Sequence, residues 1–327
     1  MQEAISKPAA QSTSHGIGGR RGLHGDALFQ GVATFFALLI LVIAAVTVTT
    51  ILYNSWPTLT KYGWGFVSSD VWDPTVKMLF GARPFIFGTL VTALLALLMA
   101  GLVGIGVALL LVEMHLPRWF RVPVSFLVEL LAAIPSVVFG VWGVFVVIPL
   151  MQQDVDPALQ RALGWTPFFG DDVSGGHSLL TASLVLAVMI VPTVTAISRD
   201  VIRVVPDHQR EAMLALGATR WEMIRGAVLP FARPGIIGAL ILALGRAVGE
   251  TIAVTMVIGN NVYIGPNLFH GADTLASRIA ASLGEAADLQ LAGLFELALI
   301  LFLVSVALNA FARLLVWSVS RGSGQVV

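Results

Sequence analysis

A chain of 327 residues that is 57% hydrophobic and only 12% charged carries about half the charge fraction of an ordinary soluble domain. Nineteen basic residues against nineteen acidic ones leave no positive footprint for nucleic acid, and the lack of cysteine excludes disulfides, iron–sulfur clusters and thiolate zinc sites in this chain. Such a composition specifies an integral membrane protein.

Residues 1–26 are polar and rich in Gly, Ser and Ala, and read as a flexible cytoplasmic tail. Residues 27–84 hold a first transmembrane helix and an outer loop. The apolar run of that helix, about 28–52, follows Arg20 and Arg21 but is too long for the h-region of a signal peptide, roughly 7–15 residues, so it reads as a retained span. Five more segments exceed the roughly 20 residues that cross a bilayer: about 85–112, 122–150, 178–198, 236–260 and 292–317. An all-α membrane protein of six spans is the expected fold. With the N-terminus inside, thirteen Lys and Arg fall on the inner side and five on the outer, with Arg246 inside a span. That asymmetry places both termini in the cytoplasm and the acidic residues Asp154, Asp156, Asp171 and Asp172 outside.

On the second span Ala96, Ala100, Gly104 and Ala108 recur every fourth residue, a pattern that lets helices pack closely in a membrane. Gly101, Gly104 and Gly106 do not have the G-x-G-x-x-G spacing of a dinucleotide loop. Pro135 and Pro192 lie mid-span, where proline frees a carbonyl and kinks the helix. Either Ser136 and Thr193 satisfy those carbonyls locally, or the kinks serve as hinges beside a pathway. Glu129, about eight residues into the third span, either lines a path, repels anions as a gate, or pairs with a basic group on a neighbouring subunit. Glu296, near the outer end of the last span, is expected to reach the interface. Thr89, Ser136 and Thr251 are hydroxyls that either line a pathway or bond a carbonyl of their own helix.

The loop 199–233 holds ten charges in 35 residues. Within it, Glu211-Ala212-Met213-Leu214-Ala215-Leu216-Gly217 reads as a short helix closed by a glycine turn, followed by a second amphipathic stretch and a stop at Ala227-Val228-Leu229-Pro230. So short a helix is marginal alone and calls for a partner surface. In the fifth span, Arg246 falls about twelve residues past Pro234, or ~18 Å along a helix, near mid-membrane, where an arginine costs roughly 2.5–3.5 kcal/mol. Glu250 at i+4 is expected to neutralise it in part, but such a pair returns only ~0.2–0.5 kcal/mol. The two then form either a buried ion pair that fixes helix register or a positive point on an anion path with Glu250 orienting it. A guanidinium suits a tetrahedral oxyanion because it donates in bidentate fashion. Phosphate, sulfate and molybdate fit almost equally on physics alone.

The 211–230 segment resembles the E-A-A-x3-G-x9-I-x-L-P pattern of the membrane subunits of bacterial ABC importers. Glu211, Ala212, Gly217, Leu229 and Pro230 match it, while Met213 and Ala227 depart from it with other apolar side chains. Three further stretches resemble the C-type permease subunit of phosphate-specific ABC importers: Phe85-Ile86-Phe87-Gly88-Thr89-Leu90, the run from Ala132 to Gly140, and Gly245-Arg246-Ala247-Val248-Gly249-Glu250-Thr251-Ile252-Ala253-Val254-Thr255-Met256. The resemblance covers about 65–320 and implies a type I ABC importer permease fold over 85–320, with 199–233 as its coupling loop. It implies inorganic phosphate as substrate and an inner membrane of a prokaryote, with membrane lipid around the spans. It also implies an A-type permease partner, two ATP-binding subunits and an extracytoplasmic phosphate-binding protein docking on outer loops such as 261–291, unless that loop is a re-entrant lid. Arg246, Glu250, Thr89, Ser136 and Thr251 become candidates for the substrate pathway, and the five matched loop residues become candidates for ATPase coupling.

ATP and magnesium would be held by the partner ATPases, and no cofactor is expected in this chain. A phosphate loop needs Gly-Lys-[ST], whereas Lys7, Lys61 and Lys77 follow Ser6, Thr60 and Val76, so the chain is not an enzyme on this reading. The alternatives are an ABC permease for sulfate or molybdate, a proton-coupled anion transporter with Glu250 as proton carrier, and a membrane enzyme. No H-E-x-x-H supports the last, and the six histidines are scattered through tails and loops.

Overall fold

A computed structural model describes residues 23–114, 116–170 and 175–322, with side chains over 27–318. The proposed tail and the acidic pair Asp171 and Asp172 lie outside the described residues. The chain divides into two compact units, residues 1–50 and 51–327. The described part of the first unit is one apolar helix with its side chains exposed, as suits a surface facing lipid. That helix, α1, is assigned to Leu23–Tyr62.

The second unit is all-helical among the described residues. After a single helical turn at Gly65–Ser68, its helices are α2 (Arg83–Glu113), α3 (Arg118–Ala133), α4 (Ser136–Leu163, with two π turns), α5 (Leu179–Arg203), α6 (Asp207–Ala215), α7 (Arg220–Gly249), α8 (Ile252–Val257), α9 (Leu275–Ser282) and α10 (Asp288–Gly322). Six helices are long and apolar enough to cross a membrane, the number read from the sequence.

α5 is the most buried span and lies along α2. The small residues Ala96, Ala100, Gly104 and Ala108 of α2 are all buried. Small side chains let backbones approach where lipid supplies no hydrophobic drive. The principal core gathers Ala93, Phe139, Leu186, Ile190, Ala243, Val254 and their neighbours from α2, α4, α5, α7 and α8. A second, aromatic cluster closes one end of the bundle, with Trp72 edge-on to Phe80 and Phe85 at centroid distances of 4.9 and 5.2 Å.

Three expectations about helix continuity are corrected. The span expected at 122–150 is not one helix, because Ile134 (ψ 129°) and Pro135 (ψ 144°) are extended and separate α3 from α4. Proline excludes the residue before it from the α region, so Pro135 breaks the helix rather than kinking it. The span expected at 236–260 stops at Gly249, since Glu250 is extended (ψ 127°). Gly245 and Gly249 weaken the helix there, and the Glu250 side chain caps the start of α8, its Oε1 accepting the Ala253 N–H at 3.3 Å. Pro230 does not stop a helix. The residues 224–228 form a π turn, whose wider winding absorbs the missing donor, and the helix runs on through Pro230 and Pro234 to Gly249.

Pro192 leaves α5 unbroken. Thr193 does not satisfy the freed carbonyl; its hydroxyl faces Arg246 instead.

Candidate functional site

The helices that follow the two breaks meet in space. α4, which begins after Pro135, packs on α8, which begins after Glu250. Gly140 is the contact: a Cβ there would lie 2.6 Å from Met256 Sδ and 3.1 Å from Ala253 Cα. The limbs on the other side of the breaks, α3 and α7, each carry a charged residue within two turns of the break, Glu129 and Arg246. Both side chains reach α5. Arg246 Nη1 donates to Thr193 Oγ1 at 3.4 Å, and Glu129 pairs with Arg199 at 3.3 Å.

The expected Arg246–Glu250 pair is absent among the described residues. Glu250 sits past the end of α7, so the i+4 relation that would bring it to Arg246 is lost. Arg246 is exposed, and its only hydrogen bond within the described chain is the long one to Thr193. A guanidinium offers five donors, so most of its capacity is free. Thr251 and Ser136 are half-buried at the two breaks, and the Thr251 hydroxyl donates to the Gly249 carbonyl at 3.2 Å.

Thr89 lies elsewhere. It is buried, donates to the Phe85 carbonyl at 2.7 Å and accepts the Leu275 N–H at 2.9 Å, so it ties α2 to the start of α9. Thr274 and Ser277 form a capping box there, and the buried Asp273 pairs with Arg278 at 2.7 Å. Burial pushes the Asp273 carboxyl above its ordinary range, while Arg278 opposes the shift. The segment 272–277 is therefore packed on the bundle. One carboxylate departs from expectation: Glu296 is only 2% exposed instead of reaching the interface, because Thr58 packs one turn away and donates to the Ala292 carbonyl. Glu129, for which pairing is one of three readings, has a cation of its own chain, Arg199, at 3.3 Å.

At the opposite end of α5, α6 carries Glu211 and Ala212 exposed. Gly217 ends it at φ +81°, with the Ala218 N–H returning to the Met213 carbonyl at 3.1 Å. This left-handed closure is one that glycine adopts without penalty. Thr219 and Glu222 then form a capping box that starts α7. Met213 packs inward against Met223 and Val228, while Leu214, Leu216 and Trp221 are 46%, 86% and 63% exposed. Gln209, Ala212, Met213, Gly226, Pro230 and Phe231 line a cleft of about 420 Å³ beside them. The turn between α6 and α7 therefore leaves an apolar face exposed.

Sequence reasoning overlooked Arg210. Its Nη2 meets Glu113 Oε1 at 2.9 Å and the Ile202 carbonyl at 3.0 Å, and its Nη1 reaches Asp207 and the Val205 carbonyl. The Glu113 side chain is 4% exposed. One guanidinium thus joins α6 to the ends of α2 and α5. A signal was present: Glu113 closes an apolar span on the side where Lys and Arg prevail, which calls for a basic partner.

Comparison with known proteins bears on this arrangement. Residues 100–321 match the family described as binding-protein-dependent transport system inner membrane component. The phosphate transport system permease protein PstC of Pasteurella multocida is 40% identical over 303 residues, covering 92% of this chain and 94% of that protein. Its namesake from Mesorhizobium japonicum is 39% identical over 328 residues and covers 99% of both chains. Among solved structures, a bacterial ABC transporter involved in the import of the acidic polysaccharide alginate matches with a TM-score of 0.58 at 16% identity, over 91% of this chain and 96% of that one. At that identity the likeness concerns the fold.

Proposed function

This chain belongs to the binding-protein-dependent transport system inner membrane components, and from that premise we propose that it is the permease subunit of an ATP-driven importer of inorganic phosphate. The relatives named as phosphate transport permeases, 39–40% identical over nearly the whole chain, support the substrate. It spans the membrane several times, with both termini on the ATPase side. A homologous permease completes the path, two ATPase subunits supply and hold ATP with magnesium, and an extracytoplasmic binding protein delivers the ion to the outer face.

The observation that carries the mechanism is Arg246, an exposed cation in a spanning helix with no carboxylate partner among the described residues. An arginine so placed is costly and is retained when something passing through meets it. Its fork donates two hydrogen bonds to phosphate oxygens. Thr193 orients the fork, and Ser136 and Thr251 offer hydroxyls at the breaks. Glu250 acts through the backbone, capping α8 and holding the break open. Thr89 serves the 272–277 segment rather than the path. On the ATPase side, Glu211, Ala212 and Gly217 with the apolar Leu214, Leu216 and Trp221 seat in the motor, and Leu229 and Pro230 carry its displacement into α7.

Uptake of radiolabelled orthophosphate at micromolar concentration tests the substrate, in cells with and without this chain and with sulfate and molybdate in parallel. A selective loss of phosphate uptake is expected. Loss of sulfate or molybdate uptake instead would assign another oxyanion.

Gly217→Val tests the coupling segment. A β-branched residue at φ +81° costs about 1–3 kcal/mol, so the α6 turn is expected to reshape. ATPase co-purification and uptake should each fall by roughly 10-fold, the equivalent of 1.4 kcal/mol. Full ATPase stoichiometry with normal uptake would refute the docking role.

A further inference from the structure

The two broken helices deliver opposite charges to the same helix. Arg246 meets α5 at Thr193 and Glu129 meets it at Arg199. Six residues separate those contacts, about 9 Å along a helix. The second contact is asymmetric: the Arg199 side chain is 13% exposed, while that of Glu129 is 63% exposed. Asp200 holds the Nε edge of Arg199 at 3.4 Å, and Glu129 covers Nη1. The cation is anchored and the carboxylate over it is free to leave.

The approach to this pair is polar. Arg118, Arg121, Ser125 and Glu129 succeed one another at three- and four-residue spacing on α3 and line one cleft of about 450 Å³ with Val122 and Phe126. The rest of α3 exposes Trp119, Phe120, Leu127 and Leu130. A polar stripe on an otherwise apolar helix packed along the spanning α5 marks a hydrated path, and its two arginines make that path attractive to anions.

Resting on the phosphate-importer reading, we propose that Arg199 is a second anion station on the ATPase side of Arg246, and that Glu129 is its removable cover. With Glu129 in place, the carboxylate occupies the edge of the guanidinium that an oxyanion needs and repels the ion. When α3 moves off α5, phosphate takes the place of Glu129 on Nη1 and leaves along the Arg118–Arg121 stripe. The cover comes off easily, since a carboxylate that is 63% exposed keeps most of its hydration and is held only weakly.

The test uses the complete importer in proteoliposomes, with ATP-driven uptake of radiolabelled orthophosphate normalised to assembled complex. Arg199→Gln is expected to lower maximal uptake about 10-fold while half-saturation stays within about 2-fold, because an interaction met only in passage changes turnover rather than capture. Arg199→Lys keeps the charge but not the fork and should stay within about 3-fold of the unmodified protein. The exchange Glu129→Arg with Arg199→Glu restores the ion pair yet puts a carboxylate on the path, so uptake should remain about 10-fold down. Recovery to within about 2-fold in that double variant would make the pair purely structural and overturn the proposal. So would normal uptake by Arg199→Gln. Should Arg199→Gln fail to assemble, Glu129→Gln decides: phosphate loaded into the vesicles should leak about 5-fold faster without ATP, the cover being uncharged, and an unchanged leak overturns the cover. No phosphate uptake by the unmodified complex would remove the importer reading itself, and the station with it.

Discussion

Replacement of Arg246 by alanine is expected to lower phosphate uptake by at least about 100-fold, since two charge-assisted hydrogen bonds are worth roughly 1.5–3 kcal/mol each and 1.4 kcal/mol is a factor of ten. Assembly should survive. The side chain is exposed and holds one long bond to Thr193, so its loss leaves no buried group stranded. Arg246→Lys should recover part of the rate, as a point charge without the planar fork. Glu250→Gln separates two roles for the neighbouring carboxylate. Its amide oxygen still accepts the Ala253 N–H that Glu250 accepts now, so uptake should fall by no more than about 3-fold if capping is its function. Uptake measured on purified, reconstituted complex checks all three variants, and normal transport by Arg246→Ala would take Arg246 off the path.

Arg210→Ala should be the most destabilising change outside the path. It strands Glu113, whose side chain is 4% exposed, and breaking a buried pair by removing one partner costs about 3–5 kcal/mol. It also uncaps the carbonyls of Ile202 and Val205 at the end of α5. The docking face around Leu214 and Leu216 stays intact, so the ATPase should still bind and hydrolyse ATP. The displacement of α6 would no longer reach α2 and α5, and phosphate moved per ATP should drop about 10-fold, the equivalent of about 1.4 kcal/mol of coupling. Glu113→Gln leaves a neutral acceptor for Arg210 and should be milder. The ratio of uptake to hydrolysis, alongside the melting temperature of the complex, distinguishes lost coupling from lost folding: a lower melting point with an unchanged ratio would make the pair a structural brace only.

Legibility in the sequence tracks the range of the interaction. The six spans, the small-residue stripe of α2 and the Gly217 closure depend on neighbours within a turn or two, and composition and spacing reveal them. The break at Pro135 is half legible: proline announces a disturbance, but only the extended Ile134 shows that the helix ends there. The break at Glu250 carries no proline, and a continuous helix makes the i+4 pair with Arg246 look natural. The family resemblance singles out the same residues but not that geometry. Thr89 shows the opposite limit, because its bond to Leu275 spans 186 residues and no local pattern encodes it. The Glu113–Arg210 pair is likewise closed across 97 residues. Charges at the ends of apolar spans are the feature from which such a pair can be suspected.

The π turn at 224–228 has a consequence for the far end of the same helix. A π turn holds roughly one residue more than an α turn, and each residue advances a helix by about 100°. Everything downstream is therefore phased by that surplus, including Arg246 some twenty positions on. Winding 224–228 as plain α-helix with no residue lost would rotate Arg246 by about a quarter of a revolution, away from Thr193, whereas deleting one residue there would restore the α pitch and keep Arg246 facing Thr193. The azimuth of Arg246 is thus dictated by the pitch of the backbone some twenty residues before it. A one-residue deletion inside the π turn keeps that azimuth, and one anywhere else between the turn and Arg246 swings it by about 100°.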